Sequence, residues 1–253
     1  MNDSPRQIGV VGGVGPEAGF DLCRKVAAAT RAVRDQDHLP LALLSLPGSI
    51  PDRTAFLLGE SDADPGPALA DVAEALVAAG AEVVGVPCNT AHAPAIFGAV
   101  RRRVGGRCTL VDMVDEVATV LAHDHAGRRV GVLSTTGTRA AGVYAERLAA
   151  RGIAAISVPP DVQEAHVQPA LYDATWGIKA TAPTVDPRAV AGLERGLRAL
   201  VAAGAEVVVL ACTEIPLALT ARGSWGVPLL DATRVLARAL VRESAPSRLV
   251  PDQ

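Results

Sequence analysis

LVAAGAEVV, residues 76–84, recurs unchanged at residues 200–208, an offset of 200 − 76 = 124. Nine identical residues at one offset signal an internal duplication, the feature to settle before finer readings. Four residues past each copy stands a cysteine: Cys88 in GVPCNTAHAPAIF and Cys212 in VLACTEIPLAL. The offset again holds, 212 − 88 = 124, in a chain that has only four cysteines. The flanks match as well. IGVVGGVGPEAG (8–19) resembles VGVLSTTGTRAAG (130–142), and LVDMVDEVATVLA (110–122) resembles LLDATRVLARAL (229–240). The chain reads as two related lobes, each supplying one cysteine.

Length and composition fit this reading. With 253 residues, 49% hydrophobic and 20% charged, the chain is long enough for a sizeable core and is globular rather than disordered in composition. A net charge of −3 and no long basic run argue against nucleic acid as a partner. No uncharged run predicts a membrane span. The strand-like run begins at Ile8 without a charged-then-apolar leader, and four cysteines in such a chain read as reduced thiols in a cytoplasm.

Short β-branched runs alternate with Ala/Leu-rich helical stretches, the pattern of α/β layers with parallel sheets and right-handed crossovers. Strands are expected at 7–12, 40–47, 82–87, 108–111, 128–134, 153–158, 206–211 and 226–230. Helices are expected at 16–33, 66–80, 92–103, 112–124, 139–151, 162–174, 186–204, 213–222 and 231–244. The predicted fold is two similar α/β lobes, each a mainly parallel four-stranded sheet flanked by helices, related by a pseudo-twofold axis with the active site between them. The first lobe takes 1–111 plus 228–245, including a returning C-terminal helix. The second takes 112–227, and 246–253 is a loose tail.

Ligands in open parallel sheets sit beyond the carboxyl ends of the strands. Both cysteines fall there, each before a predicted helix and followed by capping-type residues, Asn89-Thr90 and Thr213-Glu214. A helix N-terminus would favour the thiolate over the ordinary thiol, whose pKa is about 8.5. Cys23 and Cys108 read as small core residues. For Cys88 and Cys212 the rivals are a disulfide, disfavoured by compartment, a metal site, which lacks CxxC spacing and nearby His, and coincidence. Two thiols across a cleft suit inversion of a carbon centre. One removes a proton from the carbon while the other delivers a proton to the opposite face. The developing charge can be held by helix N-termini and hydroxyl donors.

At this point GGVGP (12–16), QDH (36–38), IPDRT (50–54), PCNTAH (87–92), STTGT (134–138), YDATWGIK (172–179) and ACTE (211–214) carry a resemblance. The chain resembles the cofactor-independent aspartate/glutamate racemases, aspartate racemase above all, over almost its whole length. The resemblance implies a two-lobed α/β fold, often dimeric, so a homodimer, and racemisation without pyridoxal phosphate or metal. It implies Cys88 and Cys212 as the catalytic acid/base pair. It implies substrate contacts from Pro51, Asp52, Arg53, Asn89, Thr90, Ala91 and Lys179, and carboxylate binding by the hydroxyls of Thr136, Thr138 and Thr213, beside Glu214. Arg53 has its own rationale: a guanidinium grips a carboxylate with two parallel bonds. Lys179, one of only two lysines, lies in a loop with turn residues at both ends, DATWGIKATAP, that could close over a cleft. Two cations would favour a small acidic amino acid. Val14 stands where the family often has Met, and the loop around Lys179 is longer than in the simplest aspartate racemases. Both departures bear on substrate identity.

Other motifs read as structural. Gly13-Val14-Gly15-Pro16-Glu17-Ala18 fits a dinucleotide loop, but LALLSLP lacks the acidic residue that holds a ribose. His92 could tune the Cys88 thiol or make a helix-end polar contact. His123 and His125 read as exposed at a helix end rather than as metal ligands, His166 has no supporting context, and His38 could face the cleft. Asp112 and Asp231 read as N-caps. Two rival functions remain: a maleate cis–trans isomerase-like enzyme, with one cysteine as nucleophile, and a non-catalytic acid-binding protein. A malonate-type decarboxylase needs only one of the two cysteines.

Overall fold

The structure, a computed structural model, describes residues 4–219 and 225–251. Among the described residues eight strands form two sheets: β1 (Ile8–Val11), β2 (Leu41–Leu44), β3 (Val83–Gly85) and β4 (Thr109–Val111), then β5 (Val130–Ser134), β6 (Ala155–Ser157), β7 (Val207–Ala211) and β8 (Leu229–Asp231). The sheet orders are β2-β1-β3-β4 and β6-β5-β7-β8, the same topology twice. Every pairing is parallel. Ile8 pairs with Val83, and Val130 pairs with Val207. All eight predicted strands are present and the two-lobe α/β reading holds.

The repeated nonapeptide has a physical reason in each lobe. It ends helix α3 (Pro65–Ala78) in the first lobe and α11 (Pro187–Ala202) in the second, then enters β3 and β7. Gly80 (φ 98°) and Gly204 (φ 95°) supply the left-handed turn that releases the chain from the helix. Ala81 N–H then bonds Leu76 O, and Ala205 N–H bonds Leu200 O, both at 3.0 Å. The neighbouring central strand carries a glycine at the contact, Gly9 on β1 and Gly131 on β5. A Cβ on Gly9 would lie 2.8 Å from the Ala81 Cβ and 3.3 Å from the Leu76 Cβ. A Cβ on Gly131 would lie 2.9 Å from the Ala205 Cβ and 3.3 Å from the Leu200 Cβ. Both lobes thus press helix end against strand through the same Leu, Ala and Gly.

Helices α1 (Pro16–Ala29), α2 (Arg53–Leu57), α4 (Pro94–Val104) and α5 (Met113–Asp124) complete the first half of the chain. The second half adds α6 (Thr136–Ala140), α7 (Val143–Ala149), α8 (Pro160–Val162), α9 (Gln168–Tyr172), α10 (Ile178–Thr181), α12 (Ile215–Ala218) and α13 (Ala232–Ser244). Asp112 and Asp231 cap α5 and α13 through the N–H groups of Val114 and Asp115, and of Thr233 and Arg234. Helix α13 lies against β3, where Gly85 leaves room for Leu236 and Leu240. Along β7 the side chains alternate between two clusters: Val207, Val209 and Ala211 face the larger core, and Val208 and Leu210 face a core of the second lobe.

Four helix readings change in detail. The predicted helix at 139–151 is two, α6 and α7, broken at Gly142 (φ 61°). The predicted helix at 162–174 is α8 and α9 joined by a π-helical turn, Gln163–Val167. The helix expected from 92 starts at Pro94, because the residue before a proline is driven to extended ψ, here Ala93 at 134°. The helix expected at 213–222 is the four-residue α12, and its last three predicted residues lie outside the described ones. The tail from 246 is docked through Val250: Arg31 N–H bonds Arg248 O, and Val250 N–H bonds Ala29 O. Residues 252 and 253 of that tail lie outside the described ones. No described helix is long and apolar enough to cross a membrane.

Gly9→Ala tests the helix–strand contact. It is expected to destabilise the protein by about 1–3 kcal/mol, the usual cost of overpacking. Gly48→Ala, where a Cβ meets open space, should stay within about 0.5 kcal/mol. Urea unfolding midpoints compare them, and equal midpoints would contradict the packing account.

Candidate active site

In both sheets the chain leaves the central strand to one side, returns, and continues on the other side. This creates a crevice at the carboxyl ends of β1/β3 and of β5/β7, where parallel sheets hold ligands. The glycine turn Gly12–Gly15 and Cys88 lie at the first crevice. Thr135–Thr138 and Cys212 lie at the second. Cys88 is 7% exposed and Cys212 5%.

The lobes interlock at these crevices. Thr90 Oγ1 lies 2.8 Å from Thr138 Oγ1 and 3.2 Å from Thr135 Oγ1, a buried hydroxyl cluster spanning both lobes. Tyr144 donates to Asn89 Oδ1 at 2.5 Å. Tyr172 donates to Thr54 Oγ1 at 3.0 Å and to Asp52 Oδ2 at 3.3 Å. A side chain on Gly137 would meet Thr54, and one on Gly15 would meet the Glu214 carboxylate. Thr90 and Glu214 occupy matching positions, 214 − 90 = 124, and each reaches the opposite lobe's loop.

The surroundings of the two sulfurs differ. Arg53 begins α2, whose cap Asp52 accepts the Ala55 N–H at 2.8 Å. Its guanidinium is buried, donates to Pro51 O at 3.0 Å, and lies against the Cys88 sulfur. Burial works against the charge on Arg53, but the Cys88 sulfur and the Asp52 carboxylate outweigh it and hold the guanidinium protonated. Cys212 Sγ donates to Glu214 Oε2 at 3.0 Å, and Thr213 Oγ1 donates to the same oxygen at 3.1 Å. The other oxygen, Oε1, takes Lys179 Nζ at 2.9 Å, and Lys179 also lies 5.1 Å over the Tyr172 ring. Burial and the Glu214 charge push the Cys212 thiol well above its usual range, with Lys179 opposing. Burial works against the charge on Glu214, but Lys179 and the Cys212 thiol hold its carboxyl below the usual range.

Several expectations from the sequence change here. The sulfurs do not rest on long helix N-termini: Cys88 precedes the short turn Thr90–His92, and Cys212 precedes the four-residue α12. Burial first, and then the neighbouring Glu214 carboxylate, set the state of Cys212 instead. Lys179 is paired internally by Glu214. Thr136 points away from the hydroxyl cluster: its N–H bonds Gln168 and its hydroxyl accepts from Gln163 at 3.4 Å. Ala91 is fully buried, and Val14 is buried in the core. Tyr144, Tyr172, Thr54 and Thr135 join the site although the sequence assigns them no role. The last three lie within the motifs that carry the resemblance, and Tyr144 lies in none of them. Two buried donors at the first crevice, Arg53 Nε and Asn89 Nδ2, have no hydrogen-bond partner among the described residues.

Fold and site together define a class: a duplicated α/β protein with one buried thiol per lobe, interlocked at the strand ends. The family model for Asp/Glu/Hydantoin racemase matches residues 11–240, and the chain belongs to that family. The aspartate racemase of Picrophilus torridus is 25% identical, with a TM-score of 0.76 over 97% of this chain and 96% of that one. An aspartate racemase homologue from Pyrococcus horikoshii OT3 shares the fold at 23% identity and a TM-score of 0.71, over 94% of this chain and 99% of that one. A glutamate racemase from Francisella tularensis, solved with D-glutamate, shares it at 14% identity and 0.66, over 100% of this chain and 86% of that one.

The Cys212 environment predicts a pH response. With its pKa raised, the thiol stays neutral near pH 7 and ionises only as pH climbs past the ordinary thiol range, about 8.5. Alkylation of Cys212 by iodoacetamide should be slow at neutral pH and rise steeply above that range. Glu214→Gln removes the charge that raises the thiol's pKa and leaves the Lys179 charge that lowers it, so neutral-pH alkylation should speed about tenfold or more. Peptide mapping of Cys212 reads the rate, and an unchanged rate would contradict the assignment.

Proposed function

We propose that the protein is a cofactor-independent racemase of aspartate or glutamate that moves the α-proton between Cys88 and Cys212. The observation that carries this reading is the duplicated placement of one buried thiol per lobe at crevices whose residues bond across to the other lobe. In one direction the Cys88 sulfur takes the α-proton while the Cys212 thiol delivers its own to the opposite face. In the other direction the roles exchange. Arg53 offers a cation beside the Cys88 sulfur. Glu214, bonded to the Cys212 thiol, holds that thiol protonated, ready to deliver its proton to the substrate carbon. The two sulfurs therefore stand beside charges of opposite sign.

Substrate binding follows from the unpaired donors. A buried donor without an acceptor costs about 1–3 kcal/mol, which a ligand oxygen recovers. Arg53 Nε and Asn89 Nδ2 are such donors, and a carboxylate is the ligand group that satisfies both. Pro51, Asp52, Thr90, Ala91, Thr138, Thr213 and Glu214 shape the surrounding wall, and Lys179 balances the Glu214 charge beside it. Thr136 supports the loop through its bonds to Gln163 and Gln168. The proposal includes a homodimer, on the strength of the resemblance. It includes a cytoplasmic location, where the four free cysteines stay reduced.

Incubation with L-aspartate or L-glutamate in heavy water, without pyridoxal phosphate, should give the D-enantiomer with deuterium at the α-carbon. Cys88→Ser and Cys212→Ser should each slow inversion about 10²- to 10⁴-fold, the usual contribution of a positioned acid or base. Inversion at the unaltered rate in both variants would refute the assignment. Conversion of maleate instead would favour the isomerase alternative.

A further inference from the structure

His92 follows Cys88 by four residues and is fully buried, with both ring nitrogens engaged. Nε2 accepts the Met113 N–H at 3.2 Å, and Nδ1 lies 2.8 Å from Cys88 O. A backbone N–H only donates, so Nε2 is the unprotonated nitrogen. Nδ1 therefore carries the proton and donates it to the Cys88 carbonyl. The ring also stacks on Phe97, with centroids 4.3 Å apart. Met113 is the first residue of α5, whose cap Asp112 is bonded by Arg101 at 2.6 Å and by Arg147 of α7 at 3.1 Å. Contacts thus run from the Cys88 main chain through the imidazole to the start of α5, and from there through Arg147 to α7. The matching position in the second lobe is Pro216, 92 + 124 = 216, which has no imidazole to offer.

We infer that His92 is a positioning residue for Cys88: a neutral imidazole that clamps the main chain bearing this thiol to the start of α5 and so aims its sulfur toward the second lobe. Among the described residues Cys212 has no such clamp. The inference rests on the two-thiol reading above. The ring stays neutral in this role. Burial lowers its pKa, the Asp112 carboxylate opposes, and Arg147 and Arg101 lower it further. His92 therefore moves no proton during turnover, and its influence falls on one sulfur only.

Non-inverting α-proton exchange separates the two sulfurs, because each enantiomer exchanges through the thiol that deprotonates it. Exchange of L- and D-aspartate in heavy water is followed by NMR for the wild type, His92→Ala, His92→Gln, Cys88→Ala and Cys212→Ala. His92→Ala should slow exchange of one enantiomer about tenfold to hundredfold, as expected for a misaimed group, while leaving the other within about twofold. The slowed enantiomer should be the one whose exchange Cys88→Ala abolishes. His92→Gln, whose amide can donate to the carbonyl and accept from Met113, should restore part of the loss. Equal slowing of both enantiomers, or none, would overturn the inference and leave the two-thiol reading standing. A wild type that exchanges neither enantiomer of aspartate nor, in the same assay, of glutamate would remove both. Independently of any variant, nitrogen NMR of the wild type should show His92 protonated at Nδ1 alone across the neutral range. A proton on Nε2, or titration near pH 7, would also overturn it.

Discussion

A glycine on β1 and on β5 lets the end of the helix that leads into β3 or β7 press directly on the sheet, and the rest of the molecule follows from that contact. Gly9 takes Ala81 and Leu76, and Gly131 takes Ala205 and Leu200. The contact fixes where the helix stops, how the left-handed glycine turns the chain, and at what register β3 and β7 begin. With the strand start fixed, the strand end is fixed, and with it the cysteine. Interiors are packed closely enough that one methyl group at such a site is felt. This explains why the longest run held identical between the halves lies at the helix end, just ahead of the paired cysteines. The duplicated element is the one that sets geometry.

Placement is duplicated; charge is not. Cys88 meets a guanidinium, and Cys212 meets a carboxylate that is itself held by a lysine. The matched positions Thr90 and Glu214 both reach across, one with a hydroxyl and one with an anion. An exchange of a proton between two thiols needs them opposed in space but not alike in environment. In the proposed reaction each sulfur gains and loses a proton in turn, beside different neighbours. Arg53 sets a cation beside one. Glu214 holds the other protonated, and Lys179 keeps that carboxylate ionised.

Much of this was readable in the amino-acid order because it is local. The β-branched runs are bounded by glycine and proline, so all eight strands could be placed. The offset of 124 links Cys88 to Cys212 without any structure. What could not be read is what depends on one lobe meeting the other. Tyr144 lies in an ordinary helical stretch, and only the approach of α7 to Asn89 gives its hydroxyl a partner. Tyr172 likewise acquires a role from α2 of the first lobe. Lys179 read as a free cation because nothing local shows that Glu214, 35 residues later, waits beside it. The thiol environments were misjudged for the same reason. A helix start can be guessed from capping residues, but whether the helix runs four residues or fourteen depends on tertiary packing.

The most direct test of the account is a crystal structure with a bound dicarboxylic amino acid. It should place the substrate α-carbon between the lobes, with the Cys88 and Cys212 sulfurs on opposite faces, each near van der Waals distance, about 3.5–4.0 Å. A ligand reached by only one sulfur, or lodged where neither sulfur reaches it, would contradict the account.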